Sequence, residues 1–255
     1  MKDYLIDTHC HINYIEGLNP FEIVNNAIEN DVKKIVVPAA SLDDFDIIIE
    51  LCEKFDNVYG YLGIHPEEIS NWSDEILDKI RVHIQNKKIV GIGEIGLDYY
   101  WDKSNIEKQK EIFIKQIKLA NELNFPMNIH SREASKDTFD ILSEYNKNST
   151  VIMHCFSGSV EFAKECLKCG MYIALGGVVT FKNALKVKEV AKIVPIDRLL
   201  LETDSPYMAP VPYRGKTNQP SFIKFVAQEI ASLKGIEAEE IINATSENAE
   251  RILKI

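Results

Sequence analysis

No stretch of this chain approaches the ~18 consecutive apolar residues that a membrane-spanning helix needs, and the mean hydropathy is -0.13. A membrane partner is therefore not expected. An excess of basic residues is also lacking. The formal net charge is -10, so no broad cationic surface advertises nucleic acid, and any anionic substrate must be captured locally. Cysteine is sparse and odd in number, at five. That count offers no disulfide framework and fits a reducing, cytoplasmic compartment. Cys166 and Cys169 form a C-x-x-C, but they sit in a helical pattern with no second pair, so a structural role is expected. The chain opens Met1-Lys-Asp-Tyr-Leu, without the basic region, apolar stretch and cleavage site of a secretory signal. Linkers, low-complexity tracts and breaks in composition are missing too. One domain over residues 1–255 is the expectation, and no feature points to a protein partner.

What is present is alternation. Short β-branched or apolar runs occur at Leu5–Ile12, Lys34–Ala39, Val58–Ile64, Ile89–Ile95, Pro126–Ile129, Thr150–Met153, Met171–Leu175 and Arg198–Glu202. Helical patterns separate them, at Phe21–Glu29, Asp43–Lys54, Asp74–Gln85, Ile106–Leu123, Ala134–Tyr145, Val160–Leu167 and Leu185–Ile193. Two more follow the last run, at Ser221–Leu233 and near Ala238–Leu253. Strands alternating with helices predict an α/β protein with a parallel sheet and helices packed outside it. Eight such units in about 250 residues fit a (β/α)8 TIM barrel with an extra C-terminal helix, a doubly wound open sheet being the alternative.

The ionisable residues sort onto that pattern. On the first strand, residues two apart face the same side about 7 Å from each other, which puts Asp7, His9 and His11 on one face. His65 ends the third strand, Glu94 the fourth, His130 the fifth, His154 the sixth and Asp204 the eighth. Of the six histidines, only His83 falls in mid-helix; the C-terminal strand ends, where the others gather, are where barrel enzymes keep their chemistry. Four imidazoles and two carboxylates exceed the needs of one tetrahedral ion and suit two adjacent divalent ions sharing a carboxylate. Glu94, in the middle of the strand order, is the natural bridge. His9, His11 and Asp204 would complete one site, and His130 and His154 the other. Donors of this kind, without thiolate, suit Zn, Mn, Co or Ni, and Mg by availability. Cys10 and Cys155 neighbour ligands in sequence and are expected to be packing residues.

Asp7-Thr-His-Cys-His11, Gly63-Ile-His-Pro66, Gly93-Glu-Ile-Gly-Leu-Asp-Tyr99, His154-Cys-Phe-Ser-Gly158 and Leu201-Glu-Thr-Asp-Ser-Pro-Tyr207, with Tyr213-Arg-Gly-Lys-Thr-Asn-Gln-Pro220 behind them, occur in an order that resembles the TatD family of metal-dependent deoxyribonucleases. These belong to the amidohydrolase-type barrels. The resemblance runs from residue 6 to about 248. It implies a first metal site at His9, His11, Glu94 and Asp204 and a second at Glu94, His130 and His154. It also implies a DNA substrate, trimmed from the 3′ end. Asp204, a ligand with a second oxygen free, is then expected to serve as general base beside Glu94, and the loop aromatics and few cations favour a single-stranded or frayed end. Ser131 stands where relatives often carry Cys.

Substrate capture would fall to a few residues. His65 needs no metal role and could donate a hydrogen bond to a phosphate, a structural Gly-x-His-Pro turn being the alternative. Arg132 follows His130 by two, and Arg214 and Lys216 lie in the proline-rich loop after the eighth strand. The helix starting near Ser159 could aim N–H groups at an anion. Trp72, Tyr99, Tyr100 and Trp101 fall in loops after the third and fourth strands, where they either stack unpaired bases or pack on the rim. A rival function is hydrolysis of a small amide, lactone or cyclic amide; a non-catalytic binding protein is a more remote one.

Overall fold

The computed structural model describes residues 4–101 and 103–255. Eight strands, β1 (Leu5–Asp7), β2 (Val32–Pro38), β3 (Val58–Leu62), β4 (Ile89–Asp98), β5 (Met127–Arg132), β6 (Val151–Met153), β7 (Tyr172–Leu175) and β8 (Leu199–Leu201), form one sheet in chain order. The paired strands run parallel. Helices α1 (Pro20–Glu29), α2 (Asp44–Lys54), α3 (Glu75–His83), α4 (Ile106–Leu123), α5 (Ser135–Tyr145), α6 (Val160–Lys168), α7 (Leu185–Ile193) and α8 (Ile223–Lys234) each follow a strand, and α9 (Ala238–Leu253) is the additional C-terminal helix. The fold class is (β/α)8. No helix among the described residues is long and apolar enough to cross a membrane.

Two compact units make up the chain: residues up to Val37 with Cys155–Ile255, and Pro38–His154. In the second unit, all ten residues of β4 are buried, as a parallel strand covered on both faces must be. Its neighbours β3 and β5 pair with it on either side. α4 lays Ile112, Phe113, Ile117, Leu119 and Ala120 inward at helical spacing and ends where Asn124 turns left-handed (φ 54°). In the first unit, α1 starts from a capping box in which Asn19 and Glu22 satisfy each other's backbone amides, with Pro20 in the first turn. α9 docks on β1 and β8. Ser246 donates to the Tyr4 carbonyl (2.8 Å would be typical; here 2.7 Å), and Asn248 Nδ2 donates to the carbonyls of Ile196 and Leu199.

Two boundaries differ from the sequence expectation in ways that bear on chemistry. The first strand ends at Asp7 rather than Ile12. Beyond it the chain hydrogen-bonds to changing partners: Thr8 N–H to Leu201, Cys10 N–H to Val36 and His11 N–H to Ser205. Alternation thus continues to His11 without one regular ladder. The fourth strand runs on past Ile95 to Asp98, and Gly96 makes this possible. Its φ is 147°, and a Cβ there would lie 1.9 Å from the His130 carbonyl oxygen. Only glycine lets the two backbones meet so closely.

Candidate metal sites

Each unit holds a cluster of nitrogen and oxygen donors. In the first, Asp7 is the buried root. Its Oδ1 accepts the backbone N–H of His9 (3.3 Å) and of Thr203 (3.0 Å), and its Oδ2 accepts the Thr203 hydroxyl. Burial pushes the Asp7 carboxyl up to about 8, against the lowering effect of the Thr203 and His9 hydrogen bonds. The Asp204 N–H donates to the His9 carbonyl (2.9 Å), and Asn218 Nδ2 donates to the carbonyls of Thr203 and Tyr207. The segment carrying His9 and the turn carrying Asp204 are therefore fixed to each other. Their side chains converge: His9 Nε2 lies 3.1 Å from His11 Nε2, and the two nitrogens lie 3.7 and 3.9 Å from Asp204 Oδ1.

In the second unit the cluster centres on Glu94 Oε1. His130 Nδ1 is 2.9 Å away, His154 Nε2 3.0 Å and His65 Nε2 3.4 Å. Backbone bonds place these residues: Glu94 N–H donates to Ala39, His65 N–H to Ala40 and His154 N–H to Ile129. His130 also meets Asp98, its Nε2 standing 3.0 Å from Oδ2. Burial disfavours a charge on His130, but the hydrogen bonds to Asp98 and Glu94 outweigh it and hold its pKa above the ordinary value. Burial likewise opposes charge on Asp98, and here the bonds from His130 and the Tyr100 and Trp101 amides win, leaving its pKa lowered.

The donor sets fit divalent ions. Bonds of about 2.0–2.2 Å to Zn set neighbouring ligand atoms on a tetrahedron about 3.3–3.6 Å apart. His9, His11 and Asp204 come close to that spacing, as do His65, Glu94 and His130, and both trios present their ligand atoms within 4.8 Å of one another. Imidazole and carboxylate without thiolate is a donor set for Zn, Mn, Co or Ni.

Residues 6–254 match the family described as TatD related DNase. The chain belongs to the TatD family. Among TatD-type relatives, the metal-dependent hydrolase YabD of Bacillus subtilis is 45% identical, over 98% of this chain and 99% of its own length. The metal-dependent hydrolase YcfH of Escherichia coli K12 is 38% identical, over 99% and 96%. The crystal structure of YjjV, a TatD homolog from E. coli K12, superposes with a TM-score of 0.93 at 30% identity and covers all of both chains.

In this TatD-family chain, the cationic residues expected to capture substrate lie near aromatic rings. Arg132 holds its guanidinium 3.9 Å above Tyr100 and 5.4 Å from Trp101; both aromatics are exposed, Trp101 by 64%. Arg214 sits 3.8 Å above Phe181, and Lys216 lies 5.9 Å from the Tyr213 ring. Trp72 and Tyr99 are committed elsewhere, to Asp74 and Asp137. At the α6 N-terminus, Ser159 caps the Phe162 N–H with its own hydroxyl. His65 joins the Glu94 cluster, which its strand-end position suggested, while His83 packs edge-on against Phe45. Cys10 is fully buried and Cys155 partly exposed, its sulfur 3.9 Å from that of Met208. Cys166 and Cys169 are both free thiols, one buried and one exposed. Sequence reasoning gave Asp98 no role of its own. The signal was its period-two spacing from Glu94 through Gly96.

Proposed function

We propose that this protein is a divalent-metal-dependent phosphodiester hydrolase that shortens single-stranded DNA from its 3′ end. The observation that carries the reading is the pair of buried donor clusters at ligand-shell spacing, and the family membership supplies the substrate class. His9, His11 and Asp204 would hold one ion and His130 and His154 the other, with Glu94 shared between them as the resemblance implies. When bound, two such ions supply Lewis acidity at a phosphate oxygen and bring the pKa of water toward neutrality.

The remaining work falls to side chains. Asp204 directs one oxygen at the two imidazoles; its other oxygen would orient the attacking water and accept its proton. The water oxygen bonds to phosphorus as the P–O3′ bond breaks, leaving a 3′-hydroxyl on the shortened strand and a released 5′-nucleotide. His65, whose Nε2 also stands within ligand range of Glu94 and His130, would act as a donor once the other residues hold the ions. The Glu67 N–H donates to its Nδ1 (3.2 Å), so the neutral ring carries its proton on Nε2, the nitrogen facing Glu94. From there it would donate to a phosphate oxygen. Arg132 and Arg214 would each bind a phosphate, and the exposed faces of Tyr100 and Trp101 could stack an unpaired base.

A 5′-labelled oligonucleotide, with a free or a blocked 3′ end, tests this on a denaturing gel beside a panel of amides and lactones. The expected result is a ladder shortening from the free 3′ side, faster on single strands than on duplex. Internal cuts on the blocked strand, or no cleavage with Mg, Mn, Co or Zn, would overturn it, and turnover of an amide or lactone instead would select the rival reading.

A further inference from the structure

Asp98 is 1% exposed at the end of β4 and divides its carboxylate between two tasks. Oδ2 faces His130 Nε2 at 3.0 Å. Oδ1 accepts the backbone N–H groups of Tyr100 (2.8 Å) and Trp101 (3.2 Å). The carboxylate has little freedom to exchange its oxygens, because the backbone beneath it is clamped. The buried side chain of Gln109 accepts the Asp98 N–H and donates to the Asp98 carbonyl, both at 2.9 Å.

We propose that Asp98 is a positioning residue that sets the tautomer of His130 and, with its other oxygen, fixes the aromatic loop that seats Arg132. An ionised carboxylate only accepts hydrogen bonds. It therefore takes its hydrogen bond from the His130 Nε2 proton, so that a metal ion has only to replace the Nδ1 proton on the side facing Glu94 and Nδ1 becomes the ligating atom. Partners of this kind orient an imidazole ligand and raise its basicity. The inference rests on the metal-ligand reading of His130 and not on the identity of the substrate. One side chain thereby ties the aim of a metal ligand to the geometry of a phosphate-binding platform.

Asparagine separates the two tasks, since it has the same shape but one acceptor and one donor. With its oxygen kept on the loop amides, its NH2 faces Nε2 and drives the His130 proton to Nδ1, where it occupies the metal-facing lone pair. With the amide turned over, the NH2 meets the Tyr100 and Trp101 N–H groups and the loop comes loose.

The first test is on the wild-type zinc-loaded protein, with 15N-labelled histidine observed above the imidazole titration range and His130→Gln used to assign the resonance. The proton is expected on His130 Nε2; a proton on Nδ1 overturns the proposal without any variant of Asp98 having to fold. The second is Asp98→Asn. Zinc titration should show affinity lowered about 10- to 100-fold at one of two sites, or else Trp101 emission, read in a Trp72→Phe background, should change. Wild-type tautomer, zinc affinity and emission together in Asp98→Asn would refute it. Failure to cut DNA with the expected tautomer in place would remove the nuclease reading and leave this one standing.

Discussion

Glu94 concentrates three imidazole nitrogens around one carboxylate oxygen, at 2.9, 3.0 and 3.4 Å. Glu94→Ala should lose bound metal and hydrolysis together. Metal analysis that still found two ions per chain would show that the carboxylate is not shared. Asp204→Asn should behave differently, keeping most of its metal while turnover falls by several orders of magnitude; normal turnover would remove the general-base role. His65→Ala should retain full metal content and cut more slowly, because the Glu67 amide makes the ring a donor. Loss of an ion in that variant would instead make His65 a ligand. The ligand candidates could be read from sequence because their types and their places at strand ends both point to metal. Asp98 and Asp7 could not be assigned roles so easily. Their spacing puts them on the ligand face, but their roles rest on the His130 ring and on Thr203, partners far away in sequence that local spacing does not name.

The helices with clear apolar periodicity were the most legible elements: α4, α7 and α9 span Ile106–Leu123, Leu185–Ile193 and Ala238–Leu253 as the pattern predicts. Strand ends were less so. β4 extends three residues beyond the apolar run because Gly96 permits close contact with β5, a property of the neighbouring backbone and not of the run itself. The extension is what brings Asp98 to His130. Gly96→Ala should therefore cost on the order of 3 kcal/mol or more, from the positive φ and the collision with the His130 carbonyl. Urea unfolding measures the loss, and a wild-type midpoint would mean that β5 can yield. Asn248→Ala, which strips the buried Leu199 carbonyl and the half-buried Ile196 carbonyl of a donor, should cost about 1–3 kcal/mol in the same assay.

At the scale of the molecule, buried donor clusters couple metal to stability. An ion at 100 times its dissociation constant adds about 2.7 kcal/mol, and a chain of this size gains about 2–4 °C per kcal/mol. Loading one site should then raise the melting temperature by about 5–10 °C over chelated protein, and calorimetry showing no shift would argue against filled clusters. The chain's charge balance has a further consequence. Arg132 and Arg214 hold their guanidinium groups over aromatic rings, with Lys216 close to a third, in a protein whose net charge is -10. If the proposed strand is held by these few cations it sheds few counterions, and the slope of log affinity against log salt should be no steeper than about -2. Raising salt from about 50 to 200 mM would then weaken single-strand binding by only about 20-fold. Such an enzyme would find a strand end by collision and recognise it by fit, with little sliding along the polymer.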